Sequence, residues 1–445
     1  MRSFFIETWG CQMNHHDSER LEGQLRRHGL EPAPGPESAD LVLLNTCSVR
    51  DRPVRKIASR IGELGRRCPP PLVGVCGCVA EQEGQALLDR SPLVRFVLGP
   101  GQVAQLGEAL RAVARGDRLI LTGFAPAPRL DGSEPVRRSP TRGMITVVEG
   151  CDEFCTFCIV PYTRGRERSR TMDEILDEAR GLVATGVREV ELLGQTINAY
   201  RCPASAATFA ELLDAVADVP GLDRIRYVTS HPRHFDDRLI GVLARRPAVS
   251  RYLHLPVQSG SDRVLQRMHR RYTRAEYLDL VSRIRSAVPD INLSTDVIVG
   301  FPGETEADVA ATLELVEQVR FGQVFGFAFS PRPRTPAARY PGQVPEPVRK
   351  ERLQRLFALT DRISLELNQS LVGTVARVLI DGSSRRDTEV WQGRGEDNRV
   401  VNFPRTGREG IGDVVEVRIR HGAAHSLRGE AVAAAATQLP VLPPA

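Results

Sequence analysis

From Ser3 to Phe329 one pattern repeats along the chain: a short continuous apolar run, a turn, then an amphipathic stretch. Strands buried on both faces read as unbroken apolar runs, and parallel strands need a crossover between them, usually a helix. The repeat therefore confines this part of the chain to parallel sheets covered by helices. In the first series the strands fall at Ser3–Thr8, Leu41–Leu44, Leu72–Val75 and Arg95–Leu98, with helices over Ser18–His28 and Arg55–Arg67. Asp17 or Ser18 would cap the first helix and Gly29 would stop it. This predicts a doubly wound α/β domain over 1–117, followed by a linker, 118–139, rich in Pro, Gly and Arg. In the second series, over 140–368, strands at Met144–Val148, Val187–Leu193, Arg224–Val228, Tyr252–Leu255, Asn292–Val299 and Val324–Phe329 alternate with helices, the first capped by Thr171. That is the material of a full or partial βα (TIM-like) barrel, with its chemistry at the carboxyl ends of the strands. A terminal helix covers Pro345–Glu366.

Near Ser370 the period changes to two. Val415, Val417 and Ile419 alternate with Glu416, Arg418 and Arg420, and turn signals stand at Asp381-Gly382, Gly393-Arg-Gly395 and Gly410-Ile-Gly412. A small β-barrel is expected over 369–434, and a disordered tail over 435–445.

The chain has nine cysteines. Glu7 interrupts the only stretch that could begin a signal peptide, and no apolar run reaches the roughly 18 residues of a membrane span. A cytoplasmic protein is expected, with thiols serving as metal ligands or reactive groups. The net charge of +5 is carried almost wholly by arginine, the only lysines being Lys56 and Lys350. Arginine suits bidentate phosphate contacts, so the charge is compatible with a polyanionic partner without demanding one.

Cys151-Asp-Glu-Phe-Cys155-Thr-Phe-Cys158 directly follows the first strand of the second series. Three thiolates on a four-iron cube leave one iron open. The competing reading is zinc, which in structural sites takes four protein ligands, and here the only spare cysteine downstream is the remote Cys202. Cys11, Cys47 and the pair Cys76/Cys78 each follow a strand of the first series. In open parallel sheets ligands bind at that edge, so these thiols could converge.

The Cys-x3-Cys-x2-Cys loop on a βα barrel resembles the radical-SAM superfamily. The resemblance implies a 4Fe-4S cluster on Cys151, Cys155 and Cys158 whose open iron chelates S-adenosylmethionine (SAM) and cleaves it to a 5′-deoxyadenosyl radical. Phe154 and Phe157 are either core residues or, as in that superfamily, shield the cluster and contact SAM. Thr8-Trp-Gly-Cys-Gln-Met-Asn14, Asn45-Thr-Cys-Ser-Val-Arg50 and Gly77-Cys-Val-Ala80 resemble the amino-terminal domain of the methylthiotransferases. That resemblance implies a second 4Fe-4S cluster on Cys11, Cys47 and Cys78. Cys76 is the rival to Cys78, and the turn residue Gly77 favours Cys78. Cys68 and Cys202 are expected to be spectators.

Within that family, Leu193-Gly-Gln-Thr-Ile-Asn-Ala-Tyr200, Thr229-Ser-His-Pro232 and Leu253-His-Leu-Pro-Val-Gln-Ser-Gly-Ser261, with Met268–Tyr272, resemble the branch acting on isopentenyladenosine of tRNA; Thr196 stands where Asn is more usual. The carboxy-terminal barrel resembles a TRAM domain, an RNA-binding module. The expected reaction is methylthiolation of the isopentenylated adenosine 3′ to the anticodon, by a monomer served by an external electron donor. The alternatives are the same chemistry on threonylcarbamoyladenosine or on a ribosomal protein, or an RNA-binding protein with structural clusters.

Several residues carry weaker signals. Gly194 and Gln195 end a strand where the superfamily binds the SAM amino group. Asp296-Val-Ile-Val-Gly-Phe-Pro-Gly-Glu304 resembles the segment that packs on the SAM adenine. Arg164, Arg166, Arg168 and Arg170 alternate after the cysteine loop and would line one side of an extended strand as an anion site. His231 and His234 read as structural, and His15 and His16 as the start of a helix. Trp391 and Phe403 serve either to stack on bases or to fill the small barrel. Arg385, Arg386, Arg394, Arg399, Arg405 and Arg408 crowd the same module and favour phosphate.

Overall fold

A computed structural model describes residues 1–48, 51–124, 135–384 and 386–432, with the backbone alone at 51–55. Val49, Arg50, Arg385, much of the expected linker and the expected tail lie outside the described residues.

The first unit contains β1 (Ser3–Trp9), α1 (Gln12–Arg27), β2 (Glu31–Pro32), β3 (Leu41–Thr46), α2 (Asp51–Gly65), β4 (Leu72–Gly77), α3 (Cys78–Glu83), α4 (Gln85–Arg90), β5 (Val94–Leu98), α5 (Leu106–Ala114) and β6 (Leu119–Leu121). All strands pair in parallel, in the order β2-β1-β3-β4-β5-β6. Leu41-Val-Leu-Leu44 is fully buried because helices cover both faces. Each such side chain contributes about 1.5–3 kcal/mol. One core, with Phe4, Leu21, Leu25 and Leu106, lies on the α1/α5 side. The other, with Ile57, Ile61 and Leu87, lies on the opposite face.

Helix α2 begins at Asp51, four residues before the sequence reading placed it, α3, α4 and α5 were not read, and two further departures bear on the site. Strand β6 pairs with β5 inside the stretch read as linker. Helix α1 starts at Gln12, with Cys11 as its cap residue, six residues before Ser18. Its first turns hide polar side chains: Asn14, His16, Asp17 and Ser18 are all buried. Buried polar residues erase the apolar periodicity that would mark a helix.

The second unit holds β7 (Arg142–Thr146), β8 (Val148–Glu149), α6 (Val160–Thr163), β9 (Arg168–Ser169), α7 (Met172–Ala184), β10 (Glu189–Leu193), α8 (Phe209–Ala217), β11 (Arg224–Tyr227), α9 (Asp237–Arg245), β12 (Tyr252–His254), α10 (Asp262–Arg267), α11 (Arg274–Ala287), β13 (Asn292–Val299), α12 (Glu306–Val319), β14 (Gln323–Ala328) and α13 (Glu346–Gln369). The six parallel barrel strands form two sheets, β7-β10-β11 and β12-β13-β14. Ile225 of β11 bridges Val249, three residues before β12, and the two sheets together form an open, partial barrel. Thr171, Thr208, Thr273 and Thr305 cap α7, α8, α11 and α12, each with an acidic residue three positions on that answers the cap.

The last unit is a closed barrel of β15 (Val375–Ser383), β16 (Val390–Arg394), β17 (Val400–Pro404), β18 (Val414–Ala423) and β19 (Ser426–Ala431). Asp381-Gly382, read as a turn, is instead part of β15, at a shift in its pairing with β16. This barrel sits at the amino ends of the strands of the larger one. Arg224 Nη1 donates to the Arg394 carbonyl at 3.0 Å, and Asn292 Nδ2 to that of Asp397 at 2.8 Å. Ser250 Oγ donates to the carbonyl of Glu396 at 2.5 Å. Every core residue in these bonds begins or precedes a strand, so the small barrel closes the floor. The cysteine loop is at the other end.

Candidate active site

Cys151, Cys155 and Cys158 occupy the loop that leaves β8 at the carboxyl end of the large barrel. Gly150 turns the chain with φ +81°, and a Cβ there would meet the Arg166 carbonyl oxygen at 2.1 Å, so only glycine fits. Two side chains fix the loop from neighbouring strand ends. Gln195, after β10, accepts the Gly150 N–H on Oε1 at 2.5 Å. His234, after β11, holds Glu153 Oε1 at 2.6 Å. Gly194 lies tight against Val148, where a Cβ would sit 2.5 Å from Cγ1. Phe157 packs against the small core of Val264, Met268, Phe301 and Phe329, whereas the Phe154 ring lies under the Arg166 guanidinium at 4.9 Å.

Cys151 and Cys155 are buried and Cys158 half-buried. Burial pushes the Cys151 thiol up to about 11 and raises that of Cys158, with the neighbouring cysteines adding to the Cys158 shift. Thr196 Oγ1 is 3.1 Å from Cys151 Sγ. Arg270 Nη1 donates to Cys155 Sγ at 3.5 Å, and its other nitrogens to Tyr272 Oη and the Pro256 carbonyl. Arg270 is buried, and none of its bonds among the described residues goes to a carboxylate. A buried cation without a counter-charge is costly, and an anionic iron–sulfur group on the three thiolates would supply one. The residues present therefore fit such a cluster. Sequence reasoning had no signal that singled out Arg270 from the run Met268–Tyr272.

A second trio gathers at the carboxyl edge of the first sheet. Cys11 follows β1, Cys47 follows β3 and Cys78 follows β4. Asn14 and Asn45 tie the first two turns together: Asn14 Nδ2 donates to Asn45 Oδ1 at 3.1 Å, and Asn45 Nδ2 returns a bond to the Asn14 carbonyl at 2.8 Å. A hydrogen bond from Cys47 and the charge of Arg164 lower Cys11 to about 6, against the opposing effect of burial. Burial raises Cys78, and Arg164 and Cys11 act on it from nearby. Cys76 behaves differently. It is a strand residue within the apolar core beside Phe4 and Leu21, raised by burial, with Asp17 its only charged influence. Gly77 divides the two, at φ +86° and with no room for a Cβ beside Asn45 Oδ1. Cys68 is exposed, and Cys202 lies in the core below α8.

The arginine row does not form one face. Arg164 is buried against Asp17 at 2.6 Å and Arg170 against Glu178 at 2.5 Å. Arg168 pairs with Glu149 at 3.0 Å, and only Arg166 is widely exposed. The expected anion-binding strand is therefore replaced by four ion pairs: the exposed one joins Arg166 to Asp152 at 3.3 Å, and the other three splice the loop into the fold. His16 is buried, with its pKa lowered to about 4 by burial.

Among the described residues, one group of three brings its ligand atoms within 4.8 Å of one another: Glu153, His231 and His234. His231 Nδ1 accepts the Arg233 N–H at 3.2 Å, so the neutral ring carries its proton on Nε2, which faces Glu153 Oε2 at 3.8 Å. A ring protonated on that nitrogen is no metal ligand, and Arg233, Arg270 and Arg271 surround the group. The group ties the cysteine loop to the segment after β11.

Above the floor the lumen stays open: Met144, Asp296, Ile298, Phe325 and Phe327 are all only half-buried. The Thr229 N–H donates to His254 Nδ1 at 3.3 Å, leaving His254 Nε2–H for Asp296 Oδ1 at 3.1 Å. In the small barrel Trp391 and Phe403 are core residues, so neither presents a face for base stacking. Arg394 and Arg399 bond internally to Asn398 and Asp397. Arg386, Arg405, Arg408, Arg418 and Arg428 are exposed.

The radical SAM superfamily model matches residues 145–316, a family described as uncharacterized protein family UPF0004 matches 3–99, and the TRAM domain matches 369–432. A tRNA-2-methylthio-N(6)-dimethylallyladenosine synthase of Burkholderia thailandensis is 44% identical over 97% of this chain and 98% of its own length. One of the same name from Burkholderia vietnamiensis is 44% identical over 96% and 97%. Among solved structures, the radical S-adenosylmethionine methyltransferase TsrM from Kitasatospora setae, with cobalamin and a 4Fe-4S cluster bound, shares the fold at TM-score 0.54 and 17% identity, over 86% of this chain and 82% of that one.

Proposed function

The chain belongs to the tRNA-2-methylthio-N6-dimethylallyladenosine synthases, a radical-SAM methylthiotransferase family, and we propose that it converts N6-isopentenyladenosine beside the tRNA anticodon to its 2-methylthio derivative. The observation that carries this reading is the pair of cysteine trios, each at the carboxyl end of its own parallel sheet and joined through Arg164 and Asp17. The target hydrogen sits on an unactivated aromatic carbon, and no side chain is basic enough to remove it. Cys151, Cys155 and Cys158 would hold a 4Fe-4S cluster that with SAM would supply the radical chemistry, Cys11, Cys47 and Cys78 would carry a second cluster that would hold or supply the sulfur, and a second SAM would provide the methyl group.

The protein's own part is binding and exclusion. Gln195 and His234 hold the cysteine loop, the latter through Glu153, and Arg270 balances its charge. Gly194, Gln195 and Phe157 form the expected SAM side of the mouth. Phe325, Phe327, Ile298 and Met144 offer an apolar lumen for an unstacked adenine and its prenyl group. The His254–Asp296 pair is the polar element on that wall. The exposed arginines of the small barrel hold phosphates, since RNA contacts are largely electrostatic. The division of labour follows the units of the fold: the first sheet through β6 for the second cluster, the partial barrel for the radical core and the closed small barrel for RNA. The proposal includes an external electron donor, a monomeric chain and a cytoplasmic location. No helix of the described residues is long and apolar enough to cross a membrane.

Nucleoside mass spectrometry of tRNA from a strain lacking the gene tests the reading. Isopentenyladenosine should accumulate and its methylthio derivative vanish. Persistence of the derivative, with loss of a methylthio group from threonylcarbamoyladenosine or a ribosomal protein, would move the chemistry to another substrate.

A further inference from the structure

Arg164 belongs to the radical core by sequence and to the second trio by position. It follows α6, the short helix that begins two residues after Cys158. Its side chain is 4% exposed and Nη2 reaches Asp17 Oδ2 at 2.6 Å; Asp17, also 4% exposed, lies on α1, the helix that begins at Cys11. Helix α6 packs on α3, which begins at Cys78. Nη1 is buried and has no hydrogen-bond partner. The arginine charge acts on both Cys11 and Cys78. A guanidinium has five donors, and burying one unmet leaves its desolvation uncompensated unless a ligand meets it.

We propose that Arg164 is a positioning residue for the group held on Cys11, Cys47 and Cys78: supplied across the domain boundary, its free Nη1 donates to an anionic sulfur of that group and its charge stabilises the group's more reduced form. The proposal rests on the reading that these cysteines carry a cluster. Sulfur is the acceptor we assign, because Asp17 already occupies Nη2 and Arg164 lies close enough to Cys11 and Cys78 for its charge to act on both thiols. The same residue joins the two sites in sequence, through Cys158, α6 and Arg164, and in space, through Asp17, α1 and Cys11. Cluster loading on one side therefore bears on geometry at the other.

The test is an EPR-monitored redox titration of the full-length chain, reconstituted anaerobically with iron and sulfide, for the wild type, R164Q, R164K and D17N. R164Q should move the second cluster's potential to more negative values, because a positive charge beside it is gone. D17N should move it the opposite way, because the arginine charge is then unopposed. R164K should shift it less than R164Q, and the cluster that responds to SAM should keep its potential in all three. Loss of the second cluster's iron from R164Q, with R164K keeping both clusters, reads the same way. If Arg164 only rivets the domains, R164Q and D17N will shift the potential in the same direction or not at all, and the proposal falls. A wild-type count near four irons per chain instead of eight would overturn the two-cluster reading itself, a separate failure.

Discussion

Gly77 separates two cysteines one residue either side of it that meet opposite fates. Cys76 points into an apolar core, while Cys78 opens a helix beside Cys11 and Arg164. C78A should drop the iron content of reconstituted protein from about eight to about four per chain. C76A should leave it unchanged and cost about 1 kcal/mol in a denaturant titration, the price of a small void. The position of these cysteines at strand ends was legible because apolar strands and the residues that follow them are local facts, whereas the choice of Cys78 over Cys76 came from the family resemblance. Arg164 and Arg270 were not legible, since nothing in their neighbours says that Asp17 or Cys155 will lie beside them. A second residue-scale case is Asp308. Burial works against its charge, but hydrogen bonds from Arg263, Ser261 and Thr305 outweigh this and hold the carboxyl well below its usual value. A depressed carboxyl contributes stability above its unfolded pKa, near 3.8, that is lost as pH falls through the folded value. D308N should therefore be destabilised by about 2 kcal/mol near pH 7, and its deficit should close progressively below about pH 4 in chemical denaturation.

Elements of the large barrel followed the sequence closely because the apolar runs and the threonine caps agree. Thr171, Thr208, Thr273 and Thr305 each open a helix whose third residue is acidic. Helix α1 departed because its first two turns face the domain junction and bury asparagine, histidine and aspartate. The cysteine loop is an element without secondary structure, and its shape is borrowed from Gln195 and His234. Q195A removes the acceptor of the Gly150 N–H and should lower radical-cluster occupancy, read as loss of the SAM-responsive EPR signal. The second cluster's signal should remain.

At the scale of the whole molecule, the small barrel is seated partly by backbone carbonyls of residues 394–397, which no residue type announces, and partly by side-chain pairs such as Arg142 with Asp381 and Arg226 with Asn398. Its presence was readable in the period-two stretch, but its place under the floor was not. Trp391 and Phe403, free in sequence to face RNA or core, are drawn inward because a five-stranded barrel needs large side chains to fill it. Replacing Arg405, Arg408 and Arg418 with glutamate should weaken tRNA binding and flatten its salt dependence by up to about one unit of slope per lost phosphate contact. SAM cleavage without RNA should be unaffected.

The arginines of the floor barrel and the mouth of the large one lie at opposite ends of the same strands. An RNA that used both would have to pass along the outside of the barrel, which would make the two ends the jaws of a caliper with strand length as its span. A bare anticodon stem-loop closes on one jaw at a time: its KM should rise at least tenfold over that of full-length tRNA while kcat holds. Selection by reach asks nothing of the base sequence between the jaws.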